Sequence, residues 1–328
     1  MGVFLVELIQ TKKLIEASKL PTLLDVEQIL SVRQWGYKDY YLRNLVAGAK
    51  GEEEVLEFMR CYGSDDWKAI RNIWLNFSGK FECDLLLLTN SGVEMFEIKN
   101  YNGHFVYENG DCKLNNRVLP DNPITQTKRN IRKLKSILHR IDSTIQVSGT
   151  LVFIGEHNSV EIKSSVSDIQ IVSRNQFRDF IQKMAAVDDD VYYPINHQRM
   201  IKQLEHFEDM NYFVPKPLES AEMDSLRKGI YCAKCHCFDI ELKKLYIHCP
   251  CGYTEIREIG ILRTIYEYSV LTMKRQITYR EAYDFIDGQA GNKYLIKIMK
   301  KYLKFIDKNK YSYYDIEPLP FHKNNSLH

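Results

Sequence analysis

The sequence predicts an α/β protein, a mixed sheet flanked by helices, followed by a small cysteine-rich module and a C-terminal helical module. Strand patterns run from residue 70 to residue 99 and are followed by an amphipathic helix pattern and a further strand. Five of the eight cysteines lie between residues 232 and 251. The 328 residues, 45% hydrophobic and 27% charged, suffice for one large domain and one or two small ones.

Turn residues and changes of pattern divide the chain into five predicted segments. We expect a helical N-terminal segment (1–47), an α/β domain (48–185), a helical linker (186–228), a cysteine module (229–254) and a helical module (255–328).

The net charge of +2 is too small to attract polyanions over the whole surface, so a nucleic-acid partner would be bound by local patches. No apolar run approaches the roughly 18 residues of a membrane helix, and the first residues lack the basic start of a secretion signal. We therefore expect a cytoplasmic protein that does not use a membrane. The sequence does not indicate protein partners.

Three stretches rich in β-branched, aromatic and aliphatic residues predict consecutive antiparallel strands: 70–77, 81–88 and 93–99. If Asn90 and Ser91 form a two-residue hairpin loop, Thr89 pairs with Gly92. The same register places Asp84 opposite Glu97. Lys99 then shares the face of Glu97, because side chains alternate along a strand.

Two opposed acids destabilise a sheet by up to about 1 kcal/mol unless a cation relieves them. Asp84 and Glu97 therefore suggest a site for Mg²⁺ or Mn²⁺. Lys99 would orient or deprotonate a water, or stabilise charge on a phosphorane. Glu52, on the apolar stripe of the preceding helix, is a candidate third carboxylate. A surface ion-pair ladder is the alternative, although the apolar run 85–88 favours a buried hairpin.

Three sequence blocks resemble the nuclease-related domain (NERD) of bacterial proteins, a branch of the PD-(D/E)XK nuclease superfamily. The blocks are Gly48-Ala49-Lys50-Gly51-Glu52, the stretch FECDLLLLTNSGVEMFEIKNYNGHF, and Asn122-Pro123 with Gln126, Asn130 and Leu134. The resemblance covers about residues 30–150 and implies a restriction-endonuclease-like core. The positions that match the superfamily's catalytic motif are Glu52, Asp84, Glu97, Lys99 and Gln126. Glu82 stands where relatives often have Gln, which leaves the number of metal ions open.

The stretch from Asn122 to Ile141 predicts an amphipathic helix with six Lys or Arg residues and no acid. Four of the basic residues are candidate nucleic-acid contacts: Lys128, Arg129, Arg132 and Lys133. Such contacts give sequence-independent affinity for DNA phosphates. Gln126 and Asn130 share one face and are candidates to hydrogen-bond a phosphate or a base. An ordinary solvated helix face is the alternative.

The spacing of Cys232 and Cys235, followed by Cys249 and Cys251, resembles a zinc ribbon with four thiolates on a structural Zn²⁺. Only Pro250 separates the second pair, whereas two residues are usual. His236, His248 or Cys237 is therefore an alternative ligand. Reduced cysteines without a metal are a further alternative.

The last segment predicts a helix pair, 277–286 and 291–303, with a lysine-rich second helix and a Tyr-rich wing. This suits a winged-helix-like module, either for DNA binding or for packing on the nuclease domain. The function expected for the whole chain is Mg²⁺-dependent hydrolysis of DNA phosphodiester bonds. The alternatives are a catalytically inactive DNA-binding adaptor on the same fold and a zinc-ribbon regulator without nucleic-acid chemistry.

Overall fold

The computed structural model describes residues 7–10, 13–14, 21–191, 194–209 and 215–316. These residues form two compact units. The first takes in the described residues among Met1–Ser18 and Asn44–Tyr212, and the second those among Lys19–Arg43 and Phe213–His328. The predicted segment 1–47 is thus shared between the units. Among the described helices, none has both the length and the apolar character needed to cross a membrane.

The described strands are β1 (Glu7–Gln10), β2 (Lys13–Leu14), β3 (Lys68–Asn76), β4 (Lys80–Leu88), β5 (Gly92–Lys99), β6 (Gly103–Glu108), β7 (Asp111–Leu114), β8 (Arg117–Val118), β9 (Gln146–Phe153), β10 (Asn158–Ile162), β11 (Gln170–Ser173), β12 (Glu241–Leu242), β13 (Tyr246–His248), β14 (Thr254–Ile256), β15 (Gln276–Ile277), β16 (Lys304–Ile306) and β17 (Tyr313–Asp315). The described α-helices are α1 (Leu23–Arg33), α2 (Tyr40–Tyr62), α3 (Pro123–Ile141), α4 (Arg174–Asp189), α5 (His197–Leu204), α6 (Ser220–Ser225), α7 (Arg257–Thr272), α8 (Tyr279–Phe285) and α9 (Asn292–Tyr302).

The first unit is built on a seven-stranded sheet in the order β11-β9-β5-β4-β3-β1-β2. Strands β5, β9 and β11 are parallel and the other pairs are antiparallel, which gives the mixed sheet that the sequence predicts. Helix α3 covers one core, where Leu134 packs with Leu86 and Met95. Helices α2 and α4 contribute Leu56 and Phe177 to a second core.

The β4–β5 hairpin has the predicted register, since Leu88 pairs with Val93 and Leu85 with Phe96. Its loop is held by Asp188 of α4, whose buried carboxylate accepts the amides of Asn90 at 2.9 Å and Ser91 at 2.7 Å. The same carboxylate accepts the Trp67 indole N–H at 2.7 Å. These charge-assisted bonds stabilise the turn and so oppose a slip in register.

The second unit contains α1, α6 to α9 and two three-stranded sheets, β12-β13-β14 and β15-β17-β16. Buried Arg33 joins α1 to the rest of the unit. Its guanidinium donates to Glu267 at 2.7 Å and to the backbone carbonyls of Arg227 at 2.8 Å and Gly229 at 3.1 Å. Hydrogen bonds of this number satisfy a buried cation that would otherwise be costly.

Several secondary-structure predictions need correction. Residues 7–10 and 13–14 are strands, whereas the sequence predicts helix. Strand β1 pairs with β3, a long-range contact that a local pattern does not show, and β2 pairs with β1 at the edge of the sheet. Helix α2 begins at Tyr40 and not near Gly48. The predicted helical linker, 186–228, contains the end of α4 and the α-helices α5 and α6. Residues 192–193 and 210–214 of this segment lie outside the described residues. Ile277 belongs to a strand rather than to the predicted helix.

Replacing Gly51 by Ala should lower the free energy of unfolding by about 1–3 kcal/mol, because α2 passes very close to β5 at this point. An added Cβ would lie 2.8 Å from Asn100 Cβ and 3.0 Å from Ile154 Cγ2. Gly48 of the same helix has nothing within 4 Å of its added Cβ. Gly48→Ala should therefore stabilise the protein, by up to about 1 kcal/mol. Urea unfolding followed by tryptophan fluorescence measures both variants, and equal midpoints would contradict the close packing.

Candidate functional site

The predicted site lies where β4 and β5 separate. Their backbone ladder ends at the pair Leu85–Phe96. Beyond it, the Asp84 carboxylate accepts the backbone amide of Ile98 at 2.7 Å. Strand β5 remains paired with β9 as far as Lys99. We call this region the strand fork, residues 82–84 of β4 and 97–99 of β5.

The β3–β4 pairing is interrupted at the same level. Its register passes from Arg71–Leu85 to Ile73–Cys83 and omits Asn72 and Asp84. Asn72 has a positive φ of 49°, a conformation that Asn tolerates better than most residues. Asp84 therefore lies at a break in both ladders, where its side chain replaces a regular backbone partner.

Glu97 and Lys99 form an ion pair inside the fork. Lys99 Nζ donates to Glu97 Oε1 at 2.7 Å, and the Glu97 side chain is only 1% exposed. The other oxygen, Oε2, is buried and has no hydrogen-bond partner among the described residues. A buried carboxylate oxygen without a partner is unfavourable, so this atom is suited to a cation or a donor that a ligand supplies.

The charges of the fork depend on one another. Burial raises the pKa of Asp84 well above its ordinary value, and the Glu97 charge adds to the effect, while Lys99 and the Ile98 amide oppose it. Burial alone would lower the pKa of Lys99, but the charges of Glu97 and Asp84 raise it above its ordinary value. Lys99 is thus an ammonium at neutral pH. Of the roles that the sequence left open, this favours charge stabilisation over deprotonation of water.

Glu82 is a further acid beside the fork. Its pKa is raised to about 7 by burial and by the charges of Glu52 and Glu97, although a hydrogen bond from Trp74 lowers it. Trp74 is its register partner on β3. The sequence shows Glu82 only as an acid close to Asp84. The raised pKa cannot be predicted from it, because the burial of Glu82 depends on the folded sheet.

Glu52 approaches the fork from α2. Its Oε2 accepts Arg71 at 3.3 Å and the side-chain amide of Asn72 at 3.2 Å, and its charge contributes to the raised pKa of Asp84. No local sequence pattern indicates Arg71 as the partner of Glu52. Within the described part of the chain, no third acidic, His or Cys ligand atom joins those of Asp84 and Glu97 in a cluster 4.8 Å across.

Helix α3 runs beside β4. Asn130 donates to the Glu82 carbonyl at 3.1 Å, and Lys133 donates to the carbonyls of Gly79 at 3.0 Å and Lys80 at 3.3 Å. Asn130 is buried, as Glu97 is, and its Oδ1 has no hydrogen-bond partner among the described residues, so its contact with a substrate stays a prediction. Gln126 lies one turn earlier on that face, is half-buried, and makes no side-chain hydrogen bond within the described residues.

The candidate nucleic-acid contacts on α3 differ in their surroundings. Within the described chain, Lys128 and Arg129 have no ion-pair partner. Arg132 is exposed, and its guanidinium lies 3.8 Å from an oxygen of the exposed Asp168. An exposed ion pair of this kind contributes little to the free energy of folding. Lys133 is held by the β3–β4 turn. Binding of nucleic acid by all four residues stays a prediction.

One comparison with known proteins finds a family. Residues 47–154 match the family model of the nuclease-related domain. The matched segment is similar to that domain. It contains every predicted active-site residue, from Glu52 to Gln126. No curated protein and no solved structure matches the chain.

Outside the nuclease-related domain, the second unit holds a cluster of four thiols. The sulfurs of Cys232, Cys235, Cys249 and Cys251 all lie within 4.8 Å of one another and can hold a metal ion. The Cys232–Cys251 and Cys235–Cys249 sulfur pairs are 3.7 Å and 3.4 Å apart. The structure thus brings together the predicted four ligands despite the single-residue spacer.

One backbone amide contacts the cluster directly, since Lys234 donates to the Cys232 sulfur at 3.4 Å. The amide of Tyr253 helps to lower the pKa of Cys251 to about 7. Amide donors favour thiolates, the form that binds metals.

The alternative ligands are engaged elsewhere. Cys237 exchanges hydrogen bonds with the backbone of Asp239, and its sulfur is not part of the four-thiol cluster. His236 contacts the Tyr231 ring, and His248 hydrogen-bonds Thr254. None of the three residues joins the cluster.

Glu82→Gln should raise the free energy of unfolding of the metal-free protein by about 1–2 kcal/mol at pH 8, a value reduced to allow for the partial exposure of Glu82. The increase should be smaller at pH 5. Burial raises the pKa of Glu82 from 4.5 to about 7, so the folded chain binds more protons than the unfolded chain between these values. Stability conferred by the protonated acid is therefore lost as the pH rises through this window. Urea unfolding in EDTA, with exposed Glu205→Gln as control, measures the difference. A stabilisation that is larger at pH 5 would contradict the burial of this acid.

Proposed function

We propose that the nuclease-related domain hydrolyses DNA phosphodiester bonds with Mg²⁺ or Mn²⁺ held by Asp84 and Glu97. The observation that supports this most directly is the Glu97 carboxylate, which is 1% exposed and has one oxygen without a hydrogen-bond partner among the described residues. Its other oxygen is bound by Lys99. A buried, half-satisfied carboxylate beside a second acid suits a ligand set better than a structural ion pair.

The donor set fits a hard divalent cation. Mg²⁺ prefers oxygen ligands and usually binds one or two carboxylates together with waters and substrate phosphate oxygens. Asp84 has one oxygen oriented by the Ile98 amide, and Glu97 offers Oε2. A bound Mg²⁺ would lower the pKa of water and neutralise phosphate charge. Glu82 supplies one more carboxylate, so we propose one or two ions.

The chain's own residues orient the reaction and stabilise its charge. The Ile98 amide fixes Asp84, and the Lys99 ammonium, held by Glu97, stabilises negative charge that develops on the phosphate. Two side chains of α3 contact the backbone of β4: Lys133 donates to the Lys80 carbonyl, and Asn130 donates to the Glu82 carbonyl. One further turn brings Gln126 to the level of Asp84, where its amide can orient a water or a phosphate oxygen.

The exposed basic side of α3 would hold the DNA. Lys128, Arg129 and Arg132 neutralise backbone phosphates without reading the bases. Lys133 supports this role indirectly by fixing the β3–β4 turn, in addition to its predicted contact with DNA.

Glu97→Gln and Lys99→Ala should each reduce cleavage at least about 100-fold, because each removes charge that the transition state needs. Supercoiled, linear and single-stranded DNA, and RNA, are incubated with the protein in Mg²⁺, Mn²⁺ or EDTA. Glu94→Gln is the matched control, since this buried acid of the same strand is held by Ser148 and Thr150. Burial raises the pKa of Glu94, so a neutral amide is a close substitute.

Cleavage that persists in Lys99→Ala would sink the proposed active site. DNA binding without cleavage of any substrate would instead support the inactive adaptor.

We also propose that the four-thiol cluster binds one structural Zn²⁺. Cys251→Ser should remove most of the zinc and lower the thermal stability of the second unit, because the metal links its two cysteine pairs. Cys237→Ser is the matched control, a cysteine of the same segment outside the cluster, and should retain the metal. Elemental analysis should find about one zinc per chain in the parent and in the control. Equal zinc content in both variants would contradict this ligand set.

A further inference from the structure

The second unit presents lysines along one face of α9. Leu295, Ile298 and Met299 bury one side of this helix in the core. The opposite side carries the exposed side chains of Lys293, Lys297 and Lys300. None of these three lysines has an ion-pair partner among the described residues, whereas the neighbouring Lys301 binds Glu258 at 2.8 Å. Glu258 and Asp307 interact electrostatically with Lys297 and Lys300 without forming ion pairs, so the face keeps a net positive charge.

The β16–β17 turn adds cations and an exposed aromatic ring. Asp307 accepts the Asn309 amide and the Ser312 hydroxyl, both at 3.0 Å, and so fixes the turn. The turn presents Lys310 and Tyr311, and the Tyr311 side chain is 76% exposed. The fixed turn thus holds an aromatic ring and a lysine at exposed positions next to each other.

The helix face and the turn belong to one surface. Lys300 Nζ lies 5.0 Å from the centre of the Phe305 ring on β16, the strand that leads into the turn. Lys310 and Tyr311 also line a cleft of about 680 Å³ beside Arg275. We call the set Lys293, Lys297, Lys300, Lys310 and Tyr311 the lysine surface.

We propose that the lysine surface binds double-stranded DNA through its phosphates, as a second contact separate from the nuclease-related domain. Lys293, Lys297 and Lys300 follow one another at spacings of four and three residues and so extend over about 10 Å of α9. This length fits the major groove of DNA, which is about 12 Å wide. The turn would then lie along the sugar–phosphate backbone, where Lys310 neutralises charge and the Tyr311 hydroxyl donates a hydrogen bond. The occupant is a polyanion because the four lysines of this surface outnumber the neighbouring acids Asp307 and Glu258, and Glu258 also binds Lys301.

The test is DNA binding by the full-length chain in buffer without added Mg²⁺ or Mn²⁺ and without a chelator, so that any zinc of the second unit is kept. It needs no cleavage and so remains informative if the proposed nuclease activity fails. Lys297→Gln combined with Lys300→Gln should weaken binding of a labelled 20-base-pair duplex about tenfold near 0.1 M salt. The slope of log K against log salt should fall by about 2. Tyr311→Phe should weaken binding less, because it removes a single hydrogen bond.

The matched control is Lys243→Gln combined with Lys244→Gln, which removes the same charge from exposed positions of the same unit outside the lysine surface. Zinc content and circular dichroism establish that each variant is folded. Equal affinity and equal salt slope for the α9 variant and the parent would overturn the proposal. A loss confined to single-stranded DNA, or an equal loss in the control, would overturn it as well.

Discussion

The hydrogen bond from the Ile98 amide to the Asp84 carboxylate is the interaction on which the site depends. It ends the β4–β5 ladder one residue after the Leu85–Phe96 pair and satisfies a backbone amide that would otherwise lack a partner. Because a side chain makes this bond, the backbone ladder between the two strands stops at this point. Glu97 and Lys99 follow on β5, which stays paired with β9 as far as Lys99.

Charge balance follows from this geometry. Buried acids are costly unless they are protonated, paired or bound to a cation. Lys99 pairs with Glu97, Arg71 with Glu52, and the pKa of Glu82 is raised to about 7. One oxygen of Glu97 remains without a partner among the described residues, which makes the fork incomplete as a purely structural network. A divalent cation would complete it and would oppose the acid–acid repulsion that raises these pKa values.

The sequence predicts the hairpin and its register because turn position and strand alternation are local properties. It also predicts α3, whose apolar and basic residues separate at helical spacing. The strand fork itself is beyond such reasoning, since the bond between Asp84 and Ile98 joins residues of two strands that no periodicity relates. The same limit explains why Asn130, predicted to face a substrate, is buried against the Glu82 carbonyl. The helix predicted over β1 and β2 is wrong because the pairing of β1 with β3 overrides local preference.

In the second unit, the cysteine spacing predicts the four thiols but leaves the fourth ligand open. In the folded chain the Cys251 sulfur lies within 4.8 Å of the other three, while Cys237 contacts the backbone of Asp239. The lysine-rich helix was recognisable from sequence. Its relation to the turn at Tyr311 depends on the β15-β17-β16 sheet, which only the folded structure provides.

The most direct measurement of the central claim is the anomalous scattering of a crystal soaked in Mn²⁺. We expect a peak about 2.1 Å from Glu97 Oε2 and from an Asp84 oxygen. An occupied Mn²⁺ site elsewhere on the protein, with the fork empty and the Glu97–Lys99 pair unchanged, would contradict a catalytic metal at this position.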